Sequence, residues 1–409
     1  MSSLHAERIP LLYDAFVEQT LEWPSYACCW GQTQGASHRL YMSRSTSAEA
    51  TGRHWKGPPN AIETYDVDLG AAAKVAVRKR IVHPGEVNRI KVCRQFPDII
   101  ATHSDCPDVY VWNVETQRGR DLEADSHPNE PDVILKGHTS NATYALDFAY
   151  REPLIISGGS DNVVCLWSLE DDVATVPRGG GRKPQRLLEC RMKFQGHTKS
   201  VEDCVFNPDH QALLASVGDD CDLMVWDART GTKPVAVVRR LHATDINAID
   251  WNRLDANFLV TGASDKLIKI VDMRLLSDDD VPIGRAPKGP CVQSFDIHEG
   301  PVTNVQWSAT SPTYFASSSE DGHMFVFDRL RHSFDDGSGV APELVLRHEG
   351  HGSMPVVNFD WNSREPWLMA SVSDDAEGLG GGTLQVWKIS DLLTAPEGDV
   401  RQMLQEVLS

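Results

Sequence analysis

The chain predicts an all-β fold: a seven-bladed β-propeller with an N-terminal and a C-terminal α-helix at its flanks. Two observations lead there. A spacing of 29 residues from a His to an aromatic or aliphatic residue recurs through the sequence, and short runs rich in β-branched and aromatic residues, bounded by turn residues, close each repeat.

From His138 in KGHTSNATYALDF, Asp161 follows at +23 and Trp167 at +29. From His197 the same offsets give Asp220 and Trp226, from His242 Asp265 and Val271, and from His298 Asp321 and Phe327. His83 reaches Trp112 at +29, although its acid, Asp105, stands one residue early. His351 reaches Asp374 at +23, but Trp387 comes at +36 because AEGLGGG lengthens one turn. Runs such as VVCLW, LMVWD, LIKIVD and MFVFD read as strands. A small sheet of such strands cannot bury both faces alone, so repeats of this period stack radially as propeller blades. The recurring His and Asp are read as blade locks, because a nucleophile site would not recur in every blade.

Six repeats carry the signature. The seventh blade is expected from Tyr26–Gln32, Arg39–Ser43, Ile62–Leu69 and Val75–Val82, with amino-terminal strands closing the last blade. Pro10, Leu11, Leu12, Ala15, Phe16 and Gln19 suggest a helix to about Thr20. Val400, Met403, Leu404, Val407 and Leu408 suggest another near the end. The expected divisions are an N-terminal helix over 1–22, a propeller over 23–393 and a C-terminal helix over 394–409. Arg44–Asn60, Asp171–Arg191, Leu276–Pro290 and Arg331–Ala341 read as loops.

The formal charge is −19, from 58 acidic and 39 basic residues. That field disfavours a phosphate backbone and attracts basic partners, although acidity also serves solubility alone. The nine Cys form no CxxC or zinc spacing, and adjacent Cys28 and Cys29 on a strand would face opposite sides. Reduced thiols in an intracellular protein are expected. No apolar stretch approaches a membrane span, and no signal-peptide core opens the chain. No glycine-rich phosphate loop or metal-ligand cluster stands out, so neither catalytic residue, metal nor cofactor is expected.

Position His+5, where the chain enters the innermost strand, reads Asn88, Thr143, Glu202, Asn247 and Thr303 in the first five repeats. Such polar residues either cap turns and hold channel water, or meet a partner at the mouth of the channel. With Glu86 and Asp374 the mouth becomes acidic and suits inserted Arg and Lys side chains.

The segments LEWPSYACCWG, HPGEVNRI, DVYVWNVETQ, VGDDCDLMVWDART, NVQWS and FDWNSREPW resemble one WD40 family: the retinoblastoma-binding, multicopy-suppressor-of-Ira (MSI) type of histone-binding proteins. The resemblance runs from about Pro10 to Leu393. ATHSDCPDV and SVSDDAEGLGGGTLQVW look closest to the plant branch called FVE. The resemblance implies a nuclear histone chaperone and scaffold, shared by histone deacetylase, Polycomb-type and chromatin assembly complexes. It also implies a top face for the histone H3 tail, and Glu86, Asn88, Tyr144, Glu202, Asn247 and Asp374 match the family's contacts there. Asn141 and Ala142 replace the family's acid, Thr303 replaces an aromatic, and Pro355 stands near a usual Lys. A side groove for the first helix of histone H4 would use Leu12, Phe16, Asp335, Asp336, Pro342, Glu343 and Leu344. Both of its walls are weaker here: the first helix is short, and only two consecutive acids remain. The alternative role is substrate receptor of a cullin-type ubiquitin ligase. There, Asp227 and Arg229 of WDAR and Asp272 and Arg274 of VDMR would dock an adaptor, unless they form ordinary inter-blade ion pairs. The basic stretch RGGGRKPQR (178–186) reads as an import signal or a solvated loop.

Overall fold

The computed structural model describes residues 12–35, 37–46, 58–70, 73–123, 127–170, 185–276, 290–331, 341–374 and 381–391. These build seven sheets, antiparallel except for one added strand, arranged as the blades of one ring. The first strand, β1 (Tyr13–Thr20), belongs to the last blade. Blade 1 is β2 (Cys28–Gln34), β3 (Ser37–Arg44), β4 (Ala61–Asp68) and β5 (Lys74–Val82). Blade 2 is β6 (Val87–Val92), β7 (Ile99–Ser104), β8 (Val109–Asn113) and β9 (Val133–Lys136). Blade 3 is β10 (Ala142–Phe148), β11 (Leu154–Gly159) and β12 (Val163–Ser168), then, after β13 (Arg186–Glu189), β14 (Met192–Gln195). Blade 4 is β15 (Val201–Phe206), β16 (Leu213–Gly218), β17 (Leu223–Asp227) and β18 (Pro234–Val238). Blade 5 is β19 (Ile246–Trp251), β20 (Phe258–Ala263), β21 (Leu267–Asp272) and β22 (Cys291–Asp296). Blade 6 is β23 (Val302–Trp307), β24 (Tyr314–Ser319), β25 (Met324–Asp328) and β26 (Leu344–His348). Blade 7 is β27 (Val356–Trp361), β28 (Leu368–Ser373) and β29 (Thr383–Ile389), with β1 as its outer strand.

The unsigned seventh repeat is therefore blade 1, in the region expected. The expected N-terminal helix does not reach Thr20: from Tyr13 onward the chain is strand, and the propeller begins there rather than at residue 23. Tertiary pairing overrides the helical pattern. β1 runs antiparallel to β29 from Tyr13↔Ile389 to Thr20↔Thr383, with a bulge after Tyr13, and covers an otherwise open edge. Phe16 packs toward blade 6, while Val17 on the opposite face packs toward blade 1. Where β1 leaves the sheet, Leu21 exchanges backbone hydrogen bonds with Gly381 and Gly382. A Cβ on Gly381 would meet the Trp23 backbone nitrogen at 2.3 Å, which is why the long glycine turn ends as it does. The residues before Leu12, the expected C-terminal helix and most of the four expected loops lie outside the described residues. One loop holds a surprise: β13 pairs in parallel with β9 and adds a fifth strand to blade 2.

The core is seven wedges, one between each pair of neighbouring blades. Phe194, Trp226 and Phe206 fill the wedge between blades 3 and 4; Phe295, Phe315 and Phe327 fill that between blades 5 and 6. Cys28 and Cys29 face different wedges, as alternation requires. A second set of contacts stitches the innermost strands. Side-chain oxygens of Asp147, Asp203, Asp250, Gln306 and Asp360 each accept a hydrogen bond from the next blade. The donors are the backbone N–H groups of Phe206, Ile249, Trp307, Trp361 and Trp30, at 2.7–3.3 Å.

Candidate functional site

In blade 4 the repeated His and Asp form a closed chain. Asp220 binds His197 Nδ1 at 2.9 Å, His197 Nε2 meets Ser216 Oγ at 2.7 Å, and Trp226 Nε1 donates to the same Ser at 2.8 Å. Asp220 also accepts from the Thr198 backbone. His138–Asp161–Ser157, His242–Asp265–Thr261 and His298–Asp321–Ser317 repeat the arrangement. Burial is the largest single influence and raises all four Asp carboxyls, but hydrogen bonds from the His and the backbone, together with the His charge, bring them below their usual range, Asp265 to about 2. Blades 2 and 7 depart. His83 Nδ1 turns to Gly85 O while Asp105 accepts from the Glu86 backbone, and burial pushes His83 down to about 4. His351 Nδ1 meets Thr383 Oγ1 at 2.7 Å. These imidazoles are buried and their ring nitrogens engaged, so they lock turns. Among the described residues no group of three or more His, Cys, Asp or Glu is placed to hold a metal.

The end of the ring where the inner strands begin is different. Glu86 precedes β6, Tyr144 and Glu202 lie early in β10 and β15, and Asp374 follows β28, so four expected residues share one end. Tyr144 is 44% exposed, the only large aromatic so open among the described residues. Arg89 supports it from below, donating to its carbonyl at 2.7 Å and facing Asp203 at 3.5 Å. Burial, then Asp105 and Asp374, raise the Glu86 carboxyl. Glu202 is pushed up to about 7, chiefly by burial and further by Asp219, Asp203 and Asp245. Tyr26 is pushed up to about 12 by burial, with Asp374, Glu86 and Tyr144 adding to it. Asp374 thus acts on Glu86 and Tyr26, and Tyr144 senses Glu202, Glu86 and Asp374, so a cation placed among them relieves this negative charge.

Two expected polar residues serve the ring itself. Asn247 exchanges hydrogen bonds with Ser264 and donates to Val302 O of blade 6 at 2.8 Å. Thr303 bonds Ser318 and donates to Val356 O of blade 7. Asn88 sits half-buried at the start of β6. Tyr26, Asp219 and Asp245 were missed. The doublet Asp219–Asp220 is the one sequence signal that could have found them.

Among the described residues, the two walls of the expected side groove fall in different wedges. Leu12 and Phe16 share the wedge between blades 6 and 7 with Val345, whereas Leu344 turns into the wedge between blades 5 and 6. Strand alternation along β26 causes the split. Glu343 and Leu344 instead line a cleft of about 740 Å³ between blades 5 and 6, with Phe295, Asp296, Phe325 and Arg347. Pro342 is exposed, and Asp335 and Asp336 lie outside the described residues.

At the opposite end of the ring, Arg229 grips Asp227 through Nε and Nη2, the latter at 2.7 Å, and Arg274 grips Asp272 at 2.6 Å. The pairs lie within single turns and do not bridge blades. Their hydrogen bonds hold both Asp carboxyls low, yet the Arg side chains are 71% and 61% exposed.

Seven blades, four of them locked by His–Asp turns, with an acidic mouth at one end, define a WD40-repeat interaction scaffold. The model for the WD domain, G-beta repeat, matches residues 129–168, 188–227 and 289–328, each running from the outer strand of one blade into the next blade. The chain is 36% identical over 440 residues to WD-40 repeat-containing protein MSI4 of Arabidopsis thaliana, covering 98% of this chain and 84% of that protein. It belongs to the MSI-type family of WD40-repeat proteins.

Proposed function

We propose that the protein is a histone-binding scaffold of nuclear chromatin-modifying complexes, of the deacetylase, Polycomb and assembly types, and captures basic histone H3 tails at its acidic mouth. The observation that carries this reading is the cluster of Glu86, Glu202 and Asp374 around exposed Tyr144. Partly desolvated acids reward a guanidinium or ammonium that enters among them, and the tyrosine offers a face for its alkyl stem or charge. Arg and Lys peptides fit this field; nucleic acid does not.

The test is fluorescence anisotropy with a labelled H3-tail peptide. Glu202→Lys combined with Asp374→Lys should weaken binding by at least tenfold; unchanged affinity in that double variant, with the fold intact, would remove the mouth from the reading. Binding should tighten as pH rises from 6 to 8, because the Glu202 carboxyl ionises in that interval. A flank site for the first helix of H4 stays a proposal; an H4 peptide blind to Glu343→Lys would end it.

A second reading draws on the exposed guanidiniums of Arg229 and Arg274, each preset by a carboxylate beneath it. They suit docking to a ligase adaptor. Loss of adaptor co-purification in Arg229→Ala plus Arg274→Ala, without loss of peptide binding, would support that role. Retention of the adaptor in that variant would exclude it.

A further inference from the structure

Blade 3 holds a pair of cysteines that none of these surfaces uses. Cys165 is buried on β12, and Cys190 is half-buried in the link between β13 and β14. Both pack in the wedge between blades 2 and 3, beside Trp167 and Leu188. A Cβ on Gly137 would strike Cys190 Cβ at 2.8 Å and Cys165 Sγ at 3.2 Å, so both cysteines crowd one spot. The Cys190 thiol lies 2.8 Å from Met192 O and 3.6 Å from Leu166 O, on the Cys165 strand. The corresponding glycine of blade 4, Gly196, faces Met224 and Pro234 instead. The pair is thus a substitution within the repeat. The backbone holds it in place: Cys165 stands opposite Lys193 in the β12–β14 ladder, and Arg191 N donates to Leu166 O.

The two sulfurs have different surroundings. Cys190 reaches solvent, and the neighbouring Cys165 thiol, helped by Lys193, lowers its own thiol below the ordinary value. Cys165 is enclosed, and its thiol is raised by the adjacent Cys190 and by burial. An accessible sulfur with thiolate character beside a sheltered partner is the arrangement of an attacking and a resolving cysteine.

We propose that Cys165 and Cys190 are a redox modification site that closes into an intrachain disulfide on reaction with hydrogen peroxide. The Cys190 thiolate attacks one peroxide oxygen, the O–O bond breaks, and the departing hydroxide takes up a proton to become water. This leaves Cys190 as a sulfenic acid. The Cys165 sulfur then attacks the Cys190 sulfur, the S–O bond breaks, and hydroxide leaves as a second water with the Cys165 proton. Two thiols are oxidised and one peroxide is reduced to two waters; an external dithiol reverses the change. The bond ties the end of β13, the strand lent to blade 2, to the middle of blade 3. Residues 166–189, with the basic stretch, become a closed loop.

The experiment uses the full chain, purified reduced, treated with hydrogen peroxide, alkylated, digested and mapped by mass spectrometry. The expected product is a peptide pair linked through Cys165 and Cys190, absent after dithiothreitol, in a chain lighter by two hydrogens. Cys165→Ser should abolish the link and leave Cys190 open to dimedone, the sulfenic acid trap, while Cys190→Ser should abolish both signals. Circular dichroism confirms that each variant is folded. The proposal is overturned if the treated wild-type chain leaves Cys165 fully alkylatable after denaturation. It is equally overturned if Cys106 or Cys221 forms links as readily as this pair.

Discussion

Blade 4 and blade 1 have the same four strands and almost nothing else in common. Blade 4 is locked by the chain Asp220–His197–Ser216–Trp226, all side chains that the sequence spacing announces. Blade 1 has no such chain. Buried Glu63 gathers Arg80 at 2.8 Å, Arg44 at 3.5 Å and the Tyr65 hydroxyl at 2.5 Å, and Asn60 Oδ1 accepts from the backbone and hydroxyl of Thr46. The comparison teaches that the His–Asp lock reinforces a blade without specifying it. Alternating strands and a neighbour on each side specify the blade, and any satisfied polar network can then tie its turns.

Substitutions can break that equivalence. The largest effect is expected from Trp226→Ala, which opens the wedge between blades 3 and 4 and leaves Ser216 short of a donor; about 3–5 kcal/mol should be lost in chemical denaturation. If blade 1 depends as strongly on its own network, Glu63→Ala should cost about 2 kcal/mol by stranding two arginines and a hydroxyl. A neutral Glu63→Ala would show that packing alone holds blade 1.

Acid titration sharpens the contrast within the His-bearing blades. His83 has a folded value of about 4 against 6.5 for the free side chain, so between those values the unfolded chain binds the extra proton. Stability should therefore fall as pH drops from 6.5 to 4, by roughly 3 kcal/mol for this group, and His83→Gln should flatten that slope. Asp265 is depressed in the same direction but lower on the pH scale: its folded value is about 2, so its contribution is complete above pH 4 and disappears as pH falls to 2. Blade 1 should contribute to the histidine window only through His38 on β3, which burial also holds below its usual value. The smallest effect belongs to Arg229→Ala, an exposed partner in a local pair, which should leave the melting temperature unchanged.

The propeller was legible because five identical spacings and the runs ending in Trp, Val or Phe encode geometry that does not depend on distant residues. β1 was not. Leu12, Ala15 and Phe16 satisfy a helical period, and only the partner β29, hundreds of residues away, decides for strand. β13 was hidden for the same reason, since Arg186–Glu189 gains its identity from the edge of β9. At the mouth, offset from His found Glu202 but could not separate it from Asn247 and Thr303, which look alike in sequence and face the next blade in space. Tyr26 was invisible because no His of the repeat spacing precedes β2 from which to count.

The pairing of β1 with β29 gives the molecule a timetable as well as a shape. Tyr13–Thr20 leaves the ribosome long before Thr383–Ile389 and must wait for it before its backbone finds a partner. Until then blade 7 lacks its outer strand, and an early, apolar segment stays available to other sheet edges. Six blades can stack as they emerge, but the circle is sealed in a single late step. A C-terminal truncation short of β29 should therefore release the beginning of the chain, and a protease that cuts near residue 13 should report on what happens at residue 389.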